Sequence, residues 1–128
     1  MTATTTFAIA YSPWFAALAT VLGTGPRRSR LEVDEDAVVV QMGWAFAARI
    51  ARRQVVAAAP CANVPWAIGV HTAGRGDWIV NGTCGHLVQL ALDPPAAACA
   101  LGRRVLVRRL RVSVDRPAAF LELLGDKC

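Results

Sequence analysis

The sequence predicts a mainly β domain of the α+β type: a bent antiparallel sheet, close to a small, partly open barrel, capped by a C-terminal helix. Three observations carry that expectation. Short runs of alternating apolar residues recur across residues 31–114, separated by Gly, Pro, Asn and Asp. Within residues 104–114 the alternation changes phase once. Val105 and Val107 share one parity and Leu110, Val112 and Val114 the other, which calls for a bulge at Arg108-Arg109 and therefore a bent sheet. Last, Phe120, Leu121 and Leu124 follow Pro117 at helical spacing and precede Gly125.

Composition sets the frame for these elements. The 128 residues are 55% apolar, enough for a hydrophobic core without disulfide or metal support and too apolar for a disordered chain. The whole of residues 1–128 reads as one domain, with a strand and short helix over 6–23, a β-rich body over 30–114 and the terminal helix over 116–125. The net charge is +5, and Lys127 is the only lysine among fourteen basic residues. A basic balance suits phosphate groups in anionic lipid or nucleic acid. Arginine in place of lysine, with abundant alanine, also follows from a GC-rich coding sequence. Cys61, Cys84, Cys99 and Cys128 form no C-x-x-C pair and read as reduced thiols, which places the domain in the cytoplasm.

Taken in order, Phe7, Ile9 and Tyr11 suit a first strand. Ser12-Pro13 reads as a helix start, and Trp14, Leu18, Val21 and Leu22 then form one helical stripe, expected to pack on the sheet. No charge occurs over residues 1–26, yet a signal peptide would want basic residues at its start. Ser12-Pro13 leaves residues 14–23 shorter than the roughly 20 a membrane-spanning helix needs. Asp34-Glu35-Asp36 predicts a turn. Val38, Val40 and Met42 share one strand face, Gly43 permits a bend, and Trp44, Phe46, Ala48 and Ile50 share the next face. Residues 51–60 are ambiguous. Trp66, Ile68 and Val70 alternate, and a turn is expected over 71–77. Asn81-Gly82 predicts a hairpin between Trp78-Ile79-Val80 and Val88, Leu90 and Leu92, and Asp93-Pro94-Pro95 is expected to stop that return strand. Arg116 is a poor helix cap, which leaves that role to Asp115.

This order resembles the pleckstrin-homology-like (PH-like) fold of small bacterial proteins. The residues that carry the resemblance are Leu31-Glu32-Val33-Asp34 with Val38-Val39-Val40, and Phe46-Ala47-Ala48-Arg49-Ile50 with Val55-Val56. Ser113-Val114-Asp115-Arg116-Pro117 leading into Phe120-Leu121 completes it. It covers about residues 30 to 125, and the chain has Ile50-Ala51 where bacterial relatives often have Ile-Pro. The chain is also similar to small proteins of GC-rich bacteria with such Asn-Gly and Asp-Pro-Pro elements. The resemblance implies a curled sheet plugged by its last helix, and a module for lipid, peptide or protein binding.

Three residue sets carry candidate chemistry. Arg49, Arg52, Arg104, Arg108, Arg109 and Arg111, with Arg27, Arg28, Arg30, Arg53 and Arg103 nearby in sequence, would make an anion- or partner-binding face if the clusters converge. The alternative is that they are solvated strand faces that discourage edge pairing, since no aromatics interleave with them. Trp44, Trp66 and Trp78 would line an apolar ligand pocket between sheet and helix, against the default of core packing. His71, Asp77, Cys84 and His86 are all zinc- or nucleophile-competent types, but match no ligand spacing. Asn81-Gly82-Thr83 has the form of a glycosylation acceptor, which its turn role explains. No Walker loop, dinucleotide fingerprint, HExxH or nucleophile elbow is present. The expectation is a non-catalytic binding domain with no cofactor and no metal. Its partner would be a protein or an anionic lipid, with nucleic acid a weaker option and a homodimer through exposed strand edges another.

Overall fold

Alternating apolar residues become strands that bury one face and leave the other in solvent, most regularly over residues 31–50. The computed structural model describes residues 4–23, 25, 28–61, 69–83 and 85–125. The elements are β1 (Thr5–Phe7), α1 (Pro13–Leu22), β2 (Ser29–Val33), β3 (Ala37–Met42), β4 (Phe46–Ala51), a 3-10 turn (Arg52–Gln54) and β5 (Val55–Pro60). Then follow β6 (Gly69–Gly74), β7 (Asp77–Asn81), β8 (Leu87–Ala100), β9 (Arg103–Ser113) and α2 (Pro117–Gly125). The strands form one sheet in the order β1-β2-β3-β4-β8-β9-β7-β6, with β5 alongside β8, strongly curled into a half-barrel. All pairings are antiparallel except β7 with β9.

The first half follows the alternation. Leu31 and Val33 of β2, Val38, Val40 and Met42 of β3, and Phe46, Ala48 and Ile50 of β4 are all buried on the concave face. Asp34 closes the β2–β3 turn, where its Oδ1 accepts the N–H groups of Asp36 (2.8 Å) and Ala37 (2.7 Å). Gly43-Trp44-Ala45 joins β3 to β4, so Trp44 stands in the turn rather than on the face of Phe46.

Three sequence expectations are corrected. Asp93-Pro94-Pro95 does not stop β8, which runs on to Ala100. Residues 92–95 stand opposite the single residue Arg108, between the pairs Ala91–Arg109 and Ala96–Val107. The prolines sit where no ladder bond is required, so their missing N–H is tolerated. On its other side β8 changes partner at the same place, pairing β5 as far as Leu92 and β4 from Ala98 onward. The bend is thus a corner of the half-barrel. The expected bulge at Arg108-Arg109 lies here. Both N–H groups donate to the Gly76 carbonyl (2.8 and 3.1 Å), while the surplus residues belong to β8.

Asn81-Gly82 is not a hairpin turn either. β9 lies between β7 and β8. Asn81 is fully buried, its amide Nδ2 donates to the Thr83 carbonyl (2.9 Å), and its Oδ1 accepts the Gly69 N–H (3.2 Å). Gly82 lies against Tyr11, and a Cβ there would stand 2.5 Å from the Ala10 carbonyl oxygen. The hairpin of this region is instead β6–β7, across Arg75-Gly76.

The third correction concerns α1. Ser12 begins it and Gly23 ends it in a left-handed conformation as expected, although the Ser12 side chain makes no cap bond. The stripe Trp14, Leu18, Val21 and Leu22 faces outward, and Phe15 and Ala19 are buried instead. The helix is apolar all round, so periodicity did not decide which stripe turns inward. Stacking of Phe15 on Tyr11 (6.0 Å between centroids) settles the rotation.

The core closes where the ends of the chain meet. Ile9 bridges Val114, and Phe120 of α2 meets Phe7 edge to face at 5.3 Å. Asp115 ties Ala8 by a backbone bond and by Oδ1 accepting the Ala8 N–H (3.1 Å), so its carboxylate serves the N-terminal strand. Among the described residues no helix is long and apolar enough to cross a membrane.

Candidate functional site: the outer sheet face

Strand register decides which arginines share a surface. Arg30 pairs with Gln41, Gln41 with Ala47, Ala47 with Cys99 and Cys99 with Arg104. These five residues form one row across β2, β3, β4, β8 and β9, on the face opposite the core. Strands lie about 4.8 Å apart, so Arg30 and Arg104 bracket a row about 19 Å wide. Val39 pairs with Arg49 in the adjacent row. Between the arginines lies a shallow open groove of about 560 Å³, floored by Val39, Ala47, Ala97 and Cys99 and edged by Arg49 and Arg104. A second depression of about 510 Å³ adjoins it through Gln41 and is lined by Arg28, Arg30, Gly43 and Trp44.

The remaining arginines are elsewhere. Arg52 is half-buried and structural: its Nη1 donates to the Asp34 carbonyl and its Nη2 to the Leu123 carbonyl, both at 3.1 Å. It thereby ties the β2–β3 turn to the last turn of α2. Arg108 crosses Gly76, and a Cβ there would come within 2.9 Å of its Cδ. Arg109 is ion-paired with Asp77 (3.3 Å), and Arg111 donates from Nε to Gln89 Oε1 (3.1 Å). Arg53 and Arg103 are exposed, and Arg27 lies outside the described residues. The fold places Arg49 and Arg104 of the candidate set on one groove, with Arg30, ion-paired to Glu32, at the adjoining depression.

Arg49 and Arg52 also act on the Asp34 carboxyl. Its two backbone N–H bonds, chiefly, with the charges of Arg49 and Arg52, hold it below the ordinary value of 3.8.

The two described tryptophans of the candidate set, Trp44 and Trp78, do not converge. Trp44 is 63% exposed and donates from Nε1 to the Leu22 carbonyl (2.8 Å). Trp78 is half-buried on β7, with β8 and β9 between it and β4, and Trp66 lies outside the described residues. Phe46, Phe120, Leu31 and Met42 are fully buried in one continuous apolar core.

Of the polar set, Asp77 and His86 lie apart. Asp77 begins β7, whereas His86 is exposed beyond its far end. The hairpin that would have gathered them does not exist. Cys84 and the side chain of His71 lie outside the described residues. Among the described residues no group of three or more His, Cys, Asp and Glu is placed to hold a metal.

Sequence reasoning passed over the floor of the groove. Ala47 and Arg49 were legible as the parity opposite Phe46, Ala48 and Ile50. Ala97 and Cys99 were not, because the strand was expected to end at Asp93.

No protein-family model, no curated protein and no solved structure matches the chain.

Proposed function

We propose that the chain is a non-catalytic binding domain of PH-like architecture that recognises an anionic group through its arginine-edged outer sheet face. The observation that carries this reading is the convergence of Arg49 and Arg104, from sequence clusters 55 residues apart, on one apolar-floored groove. Guanidinium groups pair bidentately with phosphate and carboxylate oxygens, and an apolar floor between them suits a ligand with a charged end and a hydrocarbon body. The curled sheet closed by α2 supports the PH-like comparison, and the basic, thiol-bearing composition supports work in the cytoplasm. Arg109 is engaged by Asp77, so the reading rests on Arg49 and Arg104.

The test is co-sedimentation of the purified protein with phosphatidylcholine and with mixed phosphatidylcholine–phosphatidylserine vesicles at low and high salt, with a nucleic-acid control. Binding is expected to the anionic vesicles, to weaken with salt, and to fall at least about tenfold in an Arg49→Glu/Arg104→Glu variant. Equal binding by wild type and variant would overturn the assignment of this face. Retention on nucleic acid alone would replace lipid by nucleic acid as the partner.

A further inference from the structure

α1 presents an unusual surface. Eight large hydrophobic residues are exposed among the described residues, and five of them, Trp14, Leu18, Val21, Leu22 and Trp44, belong to one region. Scattered exposed apolar residues need no explanation, but a cluster of this kind marks a contact. Four lie at i, i+4, i+7 and i+8 along α1. The fifth continues the patch past the helix end, because the Trp44 indole is hydrogen-bonded to the carbonyl of Leu22.

We propose that this outward face of α1, continued by Trp44, seats the protein in the surface of an anionic phospholipid bilayer. Three features choose this occupant. First, the patch makes almost no directional demand. The Trp44 N–H is taken by Leu22, and the Thr20 hydroxyl by the Ala16 carbonyl at 2.8 Å. Protein interfaces carry about one hydrogen bond per 100–200 Å², which this face is not equipped to supply. Hydrocarbon asks for none. Second, the rim carries an excess positive charge: Arg28 and Arg30 line the depression beside Trp44, and because Glu32 is ion-paired to Arg30 at 3.1 Å, the excess is the charge of Arg28. That charge complements anionic headgroups. Third, the geometry suits lying in the interface rather than crossing it. Ten helical residues make about 15 Å, with a tryptophan near each end, and tryptophan favours the headgroup level.

The choice of an anionic bilayer rests on the reading of the arginine face, whereas the apolar insertion stands on α1 itself. The experiment separates the two. Full-length protein is bound to mixed phosphatidylcholine–phosphatidylserine vesicles with brominated acyl chains, and pyrophosphate binding is followed separately by NMR. The wild type is expected to show a blue-shifted, bromine-quenched tryptophan emission. A Leu18→Gln/Val21→Asp variant is expected to partition at least about tenfold less, with unchanged circular dichroism and an unchanged pyrophosphate titration. Both positions are solvent-exposed, so the fold is retained. Equal partitioning by the variant, or wild-type binding without acyl-chain quenching, would overturn the proposal. So would a wild-type dimer that the variant dissolves, which would assign the patch to self-association. Pyrophosphate binding without vesicle binding removes the helix proposal and leaves the arginine reading. Helix-dependent vesicle binding without a pyrophosphate response does the reverse.

Discussion

Single side chains hold the seams of this fold. Ser113 is fully buried, and its hydroxyl accepts the Gly82 N–H (2.9 Å) and donates to the Ala10 carbonyl (2.8 Å). It joins β9 to the segment after β7 and to the N-terminal segment. Ser113→Ala removes both bonds from a buried site, and a loss of about 1–3 kcal/mol is expected in denaturant titration. Arg52 does similar work between the β2–β3 turn and α2. Arg52→Met is expected to destabilise by about 1.5–3 kcal/mol, and Arg52→Lys to restore little, because one ammonium does not span both carbonyls as a guanidinium fork does. Asp34 contributes a pH dependence. Its folded carboxyl titrates below its unfolded value near 3.8, so its contribution is complete above that value and is lost as pH falls through the lower folded value. Asp34→Asn is therefore expected to flatten the melting temperature between pH 5 and pH 3 relative to wild type. A slope unchanged by the substitution would show that other carboxyls govern it.

At the scale of elements, β8 and β9 decide the shape. Leu101-Gly102 connects them with φ values of 51° and 83°, a two-residue turn with both residues left-handed. That conformation favours Asn-Gly, and leucine pays a steric penalty in it. Leu101→Asn is expected to stabilise by up to about 1 kcal/mol, and a decrease would indicate that the half-exposed leucine makes a contact worth more than the strain. The Asp93-Pro94-Pro95 segment shows why local signals mislead. Proline is incompatible with a ladder, but the strand continues past it because the surplus residues bulge out of the β9 ladder at the point where the other side of β8 changes partner from β5 to β4. α1 repeats the lesson. Ser12-Pro13 and Gly23 mark its ends, since caps are local chemistry, while its rotation depends on Tyr11 and Phe15.

At the scale of the molecule, the net charge of +5 is unevenly used. Arg52, Arg109 and Arg111 are engaged with protein groups, while Arg49 and Arg104 are exposed at the groove. The arginine face and the outward face of α1 adjoin through Gln41 and Trp44. A protein that meets an anionic surface with both should lose the ionic part of its affinity at high salt and keep the apolar part. Residual vesicle binding at high salt, abolished in the Leu18→Gln/Val21→Asp variant, is the expected pattern. Complete loss at high salt would assign the contact to arginine alone.

The sequence by itself determined the mainly β character, the concave faces of β2, β3 and β4, the turns at Asp34 and Gly43, the phase change at Arg108-Arg109 and the terminal helix. These follow from side-chain alternation and turn chemistry, which act over a few residues. Only the tertiary structure decided that β9 inserts between β7 and β8, that Asn81-Gly82 is a buried junction, that α1 turns Trp14 and Val21 to solvent, and that Arg49 and Arg104 meet across one groove. Those outcomes depend on which distant strands pair. The alternation of any one strand is equally satisfied by several neighbours, and only the summed burial of the whole sheet distinguishes them.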